Sequence, residues 1–212
     1  MTARISRLGV IWLVMGTLLL TSAACGVGVD DEPRALPVTT TSTSVPTDPS
    51  GDEFSVLYMS QAEQLVPITR NLSDRTPQSV MESLLVPPQN EGSGLSSAIP
   101  AGTEVLSIEE EGGVVTVNLS EAFDDVVGTR RQLALGQMVE SLVPLDGVER
   151  VAFEIEGEPL EVTTSAGDVF EVGECDYAEL LADPVAETTS LGEGQLILLQ
   201  RRRDNLAESC GL

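Results

Sequence analysis

The sequence predicts an α+β fold, a single compact domain whose mixed or antiparallel sheet carries two main helices on one face. Three observations point there. After residue 53, β-rich runs and helical apolar stripes follow one another as strand, helix, two strands, helix, strand. Proline and glycine sit between the runs, where chain reversals need them. Hydrophobic residues make up 42% of the 212-residue chain, enough to fill one core.

The elements can be read in order. Phe54 to Met59 is a β-rich run, and Leu65 to Arg70 reads as a second short strand. Thr76 caps a helix with Pro77 at its first position. Val80, Met81, Leu84 and Leu85 line one face before Pro87 and Pro88 stop it. Thr103 to Ile108 and Val114 to Leu119 flank the paired glycines Gly112 and Gly113, which suit a tight hairpin and make these strands antiparallel neighbours. A second helix is expected from Thr129, with Gln132 completing a capping box. Its stripe is Leu135, Met138, Val139, Leu142 and Val143, ended by Pro144 and Gly147. Val148 to Ile155 alternates as a strand, Gly157 opens a turn towards Leu160 to Thr163, and Leu196 to Leu199 reads as an apolar strand near the end.

The amino terminus reads as an export signal. Arg4 and Arg7 precede the apolar run Leu8 to Leu20, and small residues lead to Cys25. Residues 1–24 are then a lipoprotein signal peptide, and Cys25 carries the lipid. The competing reading is an uncleaved transmembrane helix, since Leu8 to Val29 carries no charge. Cys25 stands where lipidation needs it, and Gly26 and Gly28 weaken a helix there. Residues 25–53 are a Thr, Ser and Pro-rich tether without apolar periodicity, with a flexible-coil reach of roughly 30 Å. The domain follows at 54–164, and a C-terminal extension at 165–212 packs on it. This organisation puts the body at the outer face of the cytoplasmic membrane, with the membrane itself as a partner through the lipid.

The run Leu95 to Thr103, containing Ile99, Pro100, Gly102 and Thr103, and the later run Val115 to Phe123, containing Asn118, Leu119, Ser120 and Phe123, resemble the GerMN domain of sporulation and spore-germination lipoproteins of Gram-positive, actinobacterial-type bacteria. Pro77, Leu84, Leu85, Gln137, Val151, Phe153 and Gly157 agree with it. The resemblance covers roughly Phe54 to Thr163. It implies an extracytoplasmic, membrane-anchored contact domain, similar in fold to ring-building motifs of envelope machines, without known catalytic residues. Read physically, Gly102 permits a turn, Pro100 fixes the approach to it, and Asn118 and Ser120 suit backbone hydrogen bonding at a strand end.

Composition excludes much chemistry. All 11 basic residues are Arg, with no Lys and no His. His-based metal sites, Ser-His or Cys-His nucleophile pairs and Schiff-base lysines are therefore absent. A net charge of −23 repels phosphate backbones, so nucleic acid is not an expected partner. No cofactor is expected. The expected function is non-enzymatic contact with an envelope protein or wall polymer, in sporulation, germination or envelope assembly. The alternative is an envelope glycoside hydrolase, or a sugar- or calcium-binding lipoprotein, using Glu121, Asp124 and Asp125. Against it stand the absence of an aromatic platform and of any EF-hand spacing, so these acids read as a solvated loop and no metal ligand set is expected.

Two further features remain. Of three cysteines one is the lipidation site, which leaves the even pair Cys175 and Cys210 for a disulfide outside the cytoplasm. Arg201, Arg202 and Arg203 form the basic cluster of an acidic body. They read either as a docking patch for an anionic partner or, the favoured reading, as internal counter-charges to nearby acids.

Overall fold

The computed structural model describes residues 53–88, 94–186 and 191–211. The expected signal peptide, Cys25 and nearly all of the expected tether lie outside the described residues. Among those described, no helix is long and apolar enough to cross a membrane.

Strands β1 (Glu53–Met59) and β2 (Leu65–Asn71) form an antiparallel hairpin. Pro67 stands opposite Leu57, whose N–H donates to Ser141 Oγ at 2.9 Å instead of across the ladder. The pair is therefore a non-hydrogen-bonded one, and the proline removes no ladder bond. Helix α1 (Pro77–Leu85) follows, with Thr76 Oγ1 accepting from the Ser79 N–H at 3.3 Å. Asp74 accepts from the hydroxyls of Ser79 and Thr76, and these two bonds hold its carboxyl below the ordinary range.

Strands β3 (Val105–Glu111) and β4 (Val114–Leu119) are the expected antiparallel pair. Gly112 and Gly113 both have positive φ, 59° and 86°, as the two-residue hairpin turn requires. A short 3-10 turn (Glu121–Asp125) leads to helix α2 (Gly128–Leu142), which crosses over to β5 (Arg150–Ile155), parallel to β4. Beyond β5 lie β6 (Glu158–Pro159) and, later in sequence, β9 (Glu171–Val172), both antiparallel to it. The main sheet is thus mixed. A small hairpin of β7 (Val162–Thr164) and β8 (Gly167–Val169) stands apart from it.

Three expectations are corrected. Helix α2 starts at Gly128, entered through a left-handed glycine, so Thr129 already lies inside it and forms no capping box. Gln132 reaches instead to the carbonyl of Thr163, at 3.2 Å. The strand expected from Val148 begins at Arg150, because Leu145 to Val148 is a turn closed by the Val148 N–H on the Leu145 carbonyl. Leu196 to Leu199 is no strand. It lies in a third helix, α3 (Glu193–Cys210), ended by left-handed Gly211. Leu199 and Leu206 are buried and Leu196 and Cys210 half-buried, which is helical spacing. Arg202 and Arg203 occupy the middle of this stripe, so the sequence shows only a short apolar run.

On β4, Val115, Val117 and Leu119 face inward, while Val151 and Phe153 do so on β5. Each such burial stabilises by roughly 1.5–3 kcal/mol. From Leu133 to Leu142 every residue of α2 is buried, including Gln137, Glu140 and Ser141. Gly136 is needed there, since a Cβ would stand 2.9 Å from Leu180 Cδ1 and 3.1 Å from Tyr177 Cδ1. Helix α2 is the central helix, flanked by β1 and by the turn at Glu174–Asp176 that α3 also contacts.

Candidate functional site

The loop from Leu95 to Thr103 is fixed from three directions. Ser96 and Met59 exchange both backbone bonds, at 2.8 and 2.9 Å, which extends the edge of β1. Gln137, fully buried on α2, accepts the Ala98 N–H on Oε1 at 2.8 Å. Arg130 Nη2 donates to the Ser97 carbonyl at 3.0 Å. The loop then reverses with the Thr103 N–H on the Pro100 carbonyl, 3.2 Å, and Gly102 at φ 91°. A side chain at residue 102 would be strained in that conformation.

This loop and the end of α1 enclose a groove of about 300 Å³. Pro87, Leu95, Ile99 and Pro100 contribute apolar walls, and Arg130 and Thr103 contribute polarity. Thr103 is buried, and its Oγ1 has no hydrogen-bond partner. A buried hydroxyl without a partner is a costly arrangement. Arg130 is exposed, so the guanidinium has donors left beyond its bond to Ser97. The groove is suited to an extended, partly apolar segment that offers an acceptor to Arg130.

The second motif run supports the groove from behind. Ser120 Oγ accepts the Glu104 N–H at 2.9 Å, and the Ser120 N–H returns to the Glu104 carbonyl at 2.9 Å. Asn118 Oδ1 accepts the Gly157 N–H at 3.0 Å. Leu119 and Phe123 are buried in the core. These residues hold strand ends and do not line the groove.

Glu121, Asp124 and Asp125 are exposed on the 3-10 turn, and none lines the groove. Asp124 pairs with Arg131 at 3.1 Å, and the Arg131 guanidinium lies 5.7 Å from the Phe123 ring centroid. The Glu121 N–H donates to Glu156 Oε1 at 3.0 Å. Two convergent carboxylates facing a cleft, which glycoside hydrolysis needs, are not assembled by these three. Among the described residues one cluster has ligand-like spacing, Glu174 with Cys175 and Cys210, and its sulfurs are bonded to each other.

That bond joins residues 35 apart, with Cα atoms 5.5 Å apart, and ties the end of α3 to the Glu174–Asp176 turn. The three arginines of α3 divide in role. Arg202 donates to Glu140 Oε2 from Nη2 at 2.9 Å and from Nε at 3.2 Å, and its Nη2 also lies 3.0 Å from Glu174 Oε2. Arg203 Nη1 donates to the carbonyls of Leu181 and Ala182, at 3.1 and 3.3 Å. Arg201 is exposed and has no such partner among the described residues. Two of the three are therefore engaged within the fold, the half-buried Arg202 by acids and the exposed Arg203 by carbonyls.

Glu140 was not singled out by the sequence reading. Burial pushes its carboxyl up to about 7, Arg202 opposes this, and Glu174 adds to it. Glu140 Oε1 has no hydrogen-bond partner. The sequence signal was the polar set Gln137, Glu140 and Ser141, spaced three and four along α2, which reads as a solvated face until α3 and the Leu95 loop cover it.

Comparisons with known proteins bear on this geometry. The tandem GerMN domains of the sporulation protein GerM from Bacillus subtilis superpose with a TM-score of 0.50 at 16% identity, over 59% of this chain and 47% of that one. The chain therefore spans about half the length of that structure, and the likeness is one of fold. The first GerMN domain of the same protein gives a TM-score of 0.45 at 16% identity, over 52% of this chain and 86% of that one. A candidate lipoprotein from Clostridium perfringens gives 0.42 at 17%, over 63% and 97%. Among curated proteins, none matches the chain in sequence. The model of the Germane family, described as sporulation and spore germination, matches residues 47–161, which is more than half of the 212. On that match, the chain belongs to the Germane family.

Proposed function

We propose that this protein is a non-enzymatic contact module of the cell envelope, held at the outer face of the cytoplasmic membrane by a lipid on Cys25, and that the groove beside Leu95 to Thr103 receives an extended segment of another envelope protein. One observation carries the reading. The groove has apolar walls and an exposed guanidinium, and it is built by the motif loop itself. Such a lining recognises a peptide-like segment and offers no group suited to proton transfer. The acids at Glu121, Asp124 and Asp125 are exposed and lie outside the groove, which supports a role without hydrolysis. The tether lets the module stand off from the bilayer by roughly 30 Å.

In cells, a photocrosslinking residue at Leu95 is expected to capture an envelope protein, and Arg130→Gln is expected to weaken capture without unfolding the domain. Cys25→Ala is expected to leave an unprocessed precursor that takes up no clickable fatty acid. Peptidoglycan hydrolysis by the purified protein that is abolished by Asp124→Asn, Asp125→Asn or Glu121→Gln would replace this reading with an enzymatic one. Capture of glycan alone from Leu95 would replace the protein partner with a wall polymer.

A further inference from the structure

A second cavity, of about 220 Å³, lies near the C-terminal end of α2, where the region matched by the family model meets the C-terminal extension. Phe54, Leu57 and Pro67 of the β1–β2 hairpin and Leu198 of α3 give it apolar walls. Glu140 and Arg202 stand in the wall as a closed pair. The Glu140 side chain has no exposed surface, and Arg202 is bound to it and to Glu174. Arg201 and Asn205 line the cavity as well, one helical turn apart on α3. Both are exposed, and neither side chain makes a hydrogen bond or ion pair among the described residues. The other arginines among those residues all have partners. In a chain with 34 acids to 11 bases, a guanidinium left unpaired beside an apolar cavity is available to a guest.

We propose that this cavity binds a free medium-chain alkyl carboxylate, with the carboxylate on the Arg201 guanidinium and the Asn205 amide and the chain against Leu57, Pro67 and Leu198. The head follows from charge. An ammonium would meet the unpaired Arg201, whereas a carboxylate accepts the forked N–H donors of a guanidinium. Glu140 does not oppose it, because its carboxylate is paired with Arg202 and has no exposed surface. The tail follows from the walls. An exposed ion pair is weak by itself, so the affinity has to come from burying apolar chain. Size agrees, since an apolar cavity of about 150 Å³ holds benzene and one of about 220 Å³ takes a chain of roughly eight carbons. A bilayer lipid with two long chains exceeds that space, which selects the free acid. The site needs the extension, because Leu198, Arg201 and Asn205 all belong to α3, beyond residue 161. It shares no lining residue with the groove at Leu95, so either site can fail without the other.

The test is calorimetric titration of the full chain with octanoate as the probe, alongside butanoate, octan-1-ol and octan-1-amine. Saturable binding of octanoate is expected, with the alcohol and the amine weaker by at least about tenfold. From butanoate to octanoate the affinity is expected to rise by about fourfold for each added methylene. Arg201→Gln, at an exposed helical position, is expected to bring octanoate down to the level of the alcohol while leaving the alcohol unchanged. Leu198→Trp is expected to block both by filling the cavity. Absence of saturable octanoate binding, equal binding of the alcohol or the amine, or octanoate binding that Arg201→Gln leaves unchanged would overturn the proposal. Binding to phosphatidylglycerol vesicles that Arg201→Gln abolishes would also overturn it, in favour of a lipid headgroup.

Discussion

Arg202 Nη2 stands 2.9 Å from Glu140 Oε2, joining helices α3 and α2 across 62 residues of sequence. The carboxylate has no exposed surface and the guanidinium side chain is 16% exposed, so neither is well hydrated. Removing one partner leaves the other as an uncompensated charge, whereas replacing both removes the problem. Above pH 7, where Glu140 is ionised, Arg202→Leu is expected to lower unfolding stability by about 3–5 kcal/mol, and Glu140→Leu combined with Arg202→Leu to recover most of that loss. Urea denaturation of the three variants measures the coupling.

The same carboxyl sets a pH dependence. It is held at about 7 in the folded protein, mainly by burial, against an ordinary value of 4.5. Between these values the folded chain keeps a proton that the unfolded chain releases. Stability from this group is therefore fully present below about pH 4.5 and is lost as pH rises through 7, by about 3 kcal/mol in all. Asp74, whose carboxyl is lowered, acts in the opposite sense and matters only in more acid solution. Denaturation midpoints recorded from about pH 5 to 8 are expected to fall for the wild type and to stay level for Glu140→Gln.

The disulfide Cys175–Cys210 closes the extension on itself, and on the chain-entropy model a loop of this length stabilises by about 3–4 kcal/mol. Protein unfolded without reductant is expected to show no free thiol at residues 175 and 210, and reduction is expected to lower the thermal midpoint. Two reactive thiols in the unreduced protein would remove the bridge from this account.

Gln137 is the link between α2 and the motif loop, through the Ala98 N–H at 2.8 Å. Gln137→Leu leaves that N–H buried without an acceptor and is expected to cost about 1–3 kcal/mol. Hydrogen exchange at Ala98 is expected to accelerate more than exchange at Val117 in β4, because the loop detaches before the sheet does.

Gly136→Ala sets two effects against each other. Alanine improves helix propensity by about 1 kcal/mol, while the new Cβ meets Leu180 and the Tyr177 ring inside ordinary contact distance. Overpacking costs about 1–3 kcal/mol, so net destabilisation is expected, together with a shift of the Tyr177 ring resonances in NMR spectra.

Local chemistry made several features readable in the chain. Thr76 with Pro77 starts α1 because a cap and a pre-set φ act within one turn. Gly112 and Gly113 close the β3–β4 hairpin because few other residues adopt two positive φ values in succession. Cysteine parity, together with the export signal expected at residues 1–24, paired Cys175 with Cys210, and the motif residues identified the family. Tertiary packing decided the rest. Leu196 to Leu199 is helical because Leu199 and Leu206 find burial on one face, with Arg202 between them neutralised by two acids from other segments. The polar set Gln137, Glu140 and Ser141 is interior because the Leu95 loop, β1 and α3 cover it, bringing partners from up to 84 residues away. A sequence shows which residues tolerate burial, whereas which polar groups are buried depends on what the distant chain brings to cover them.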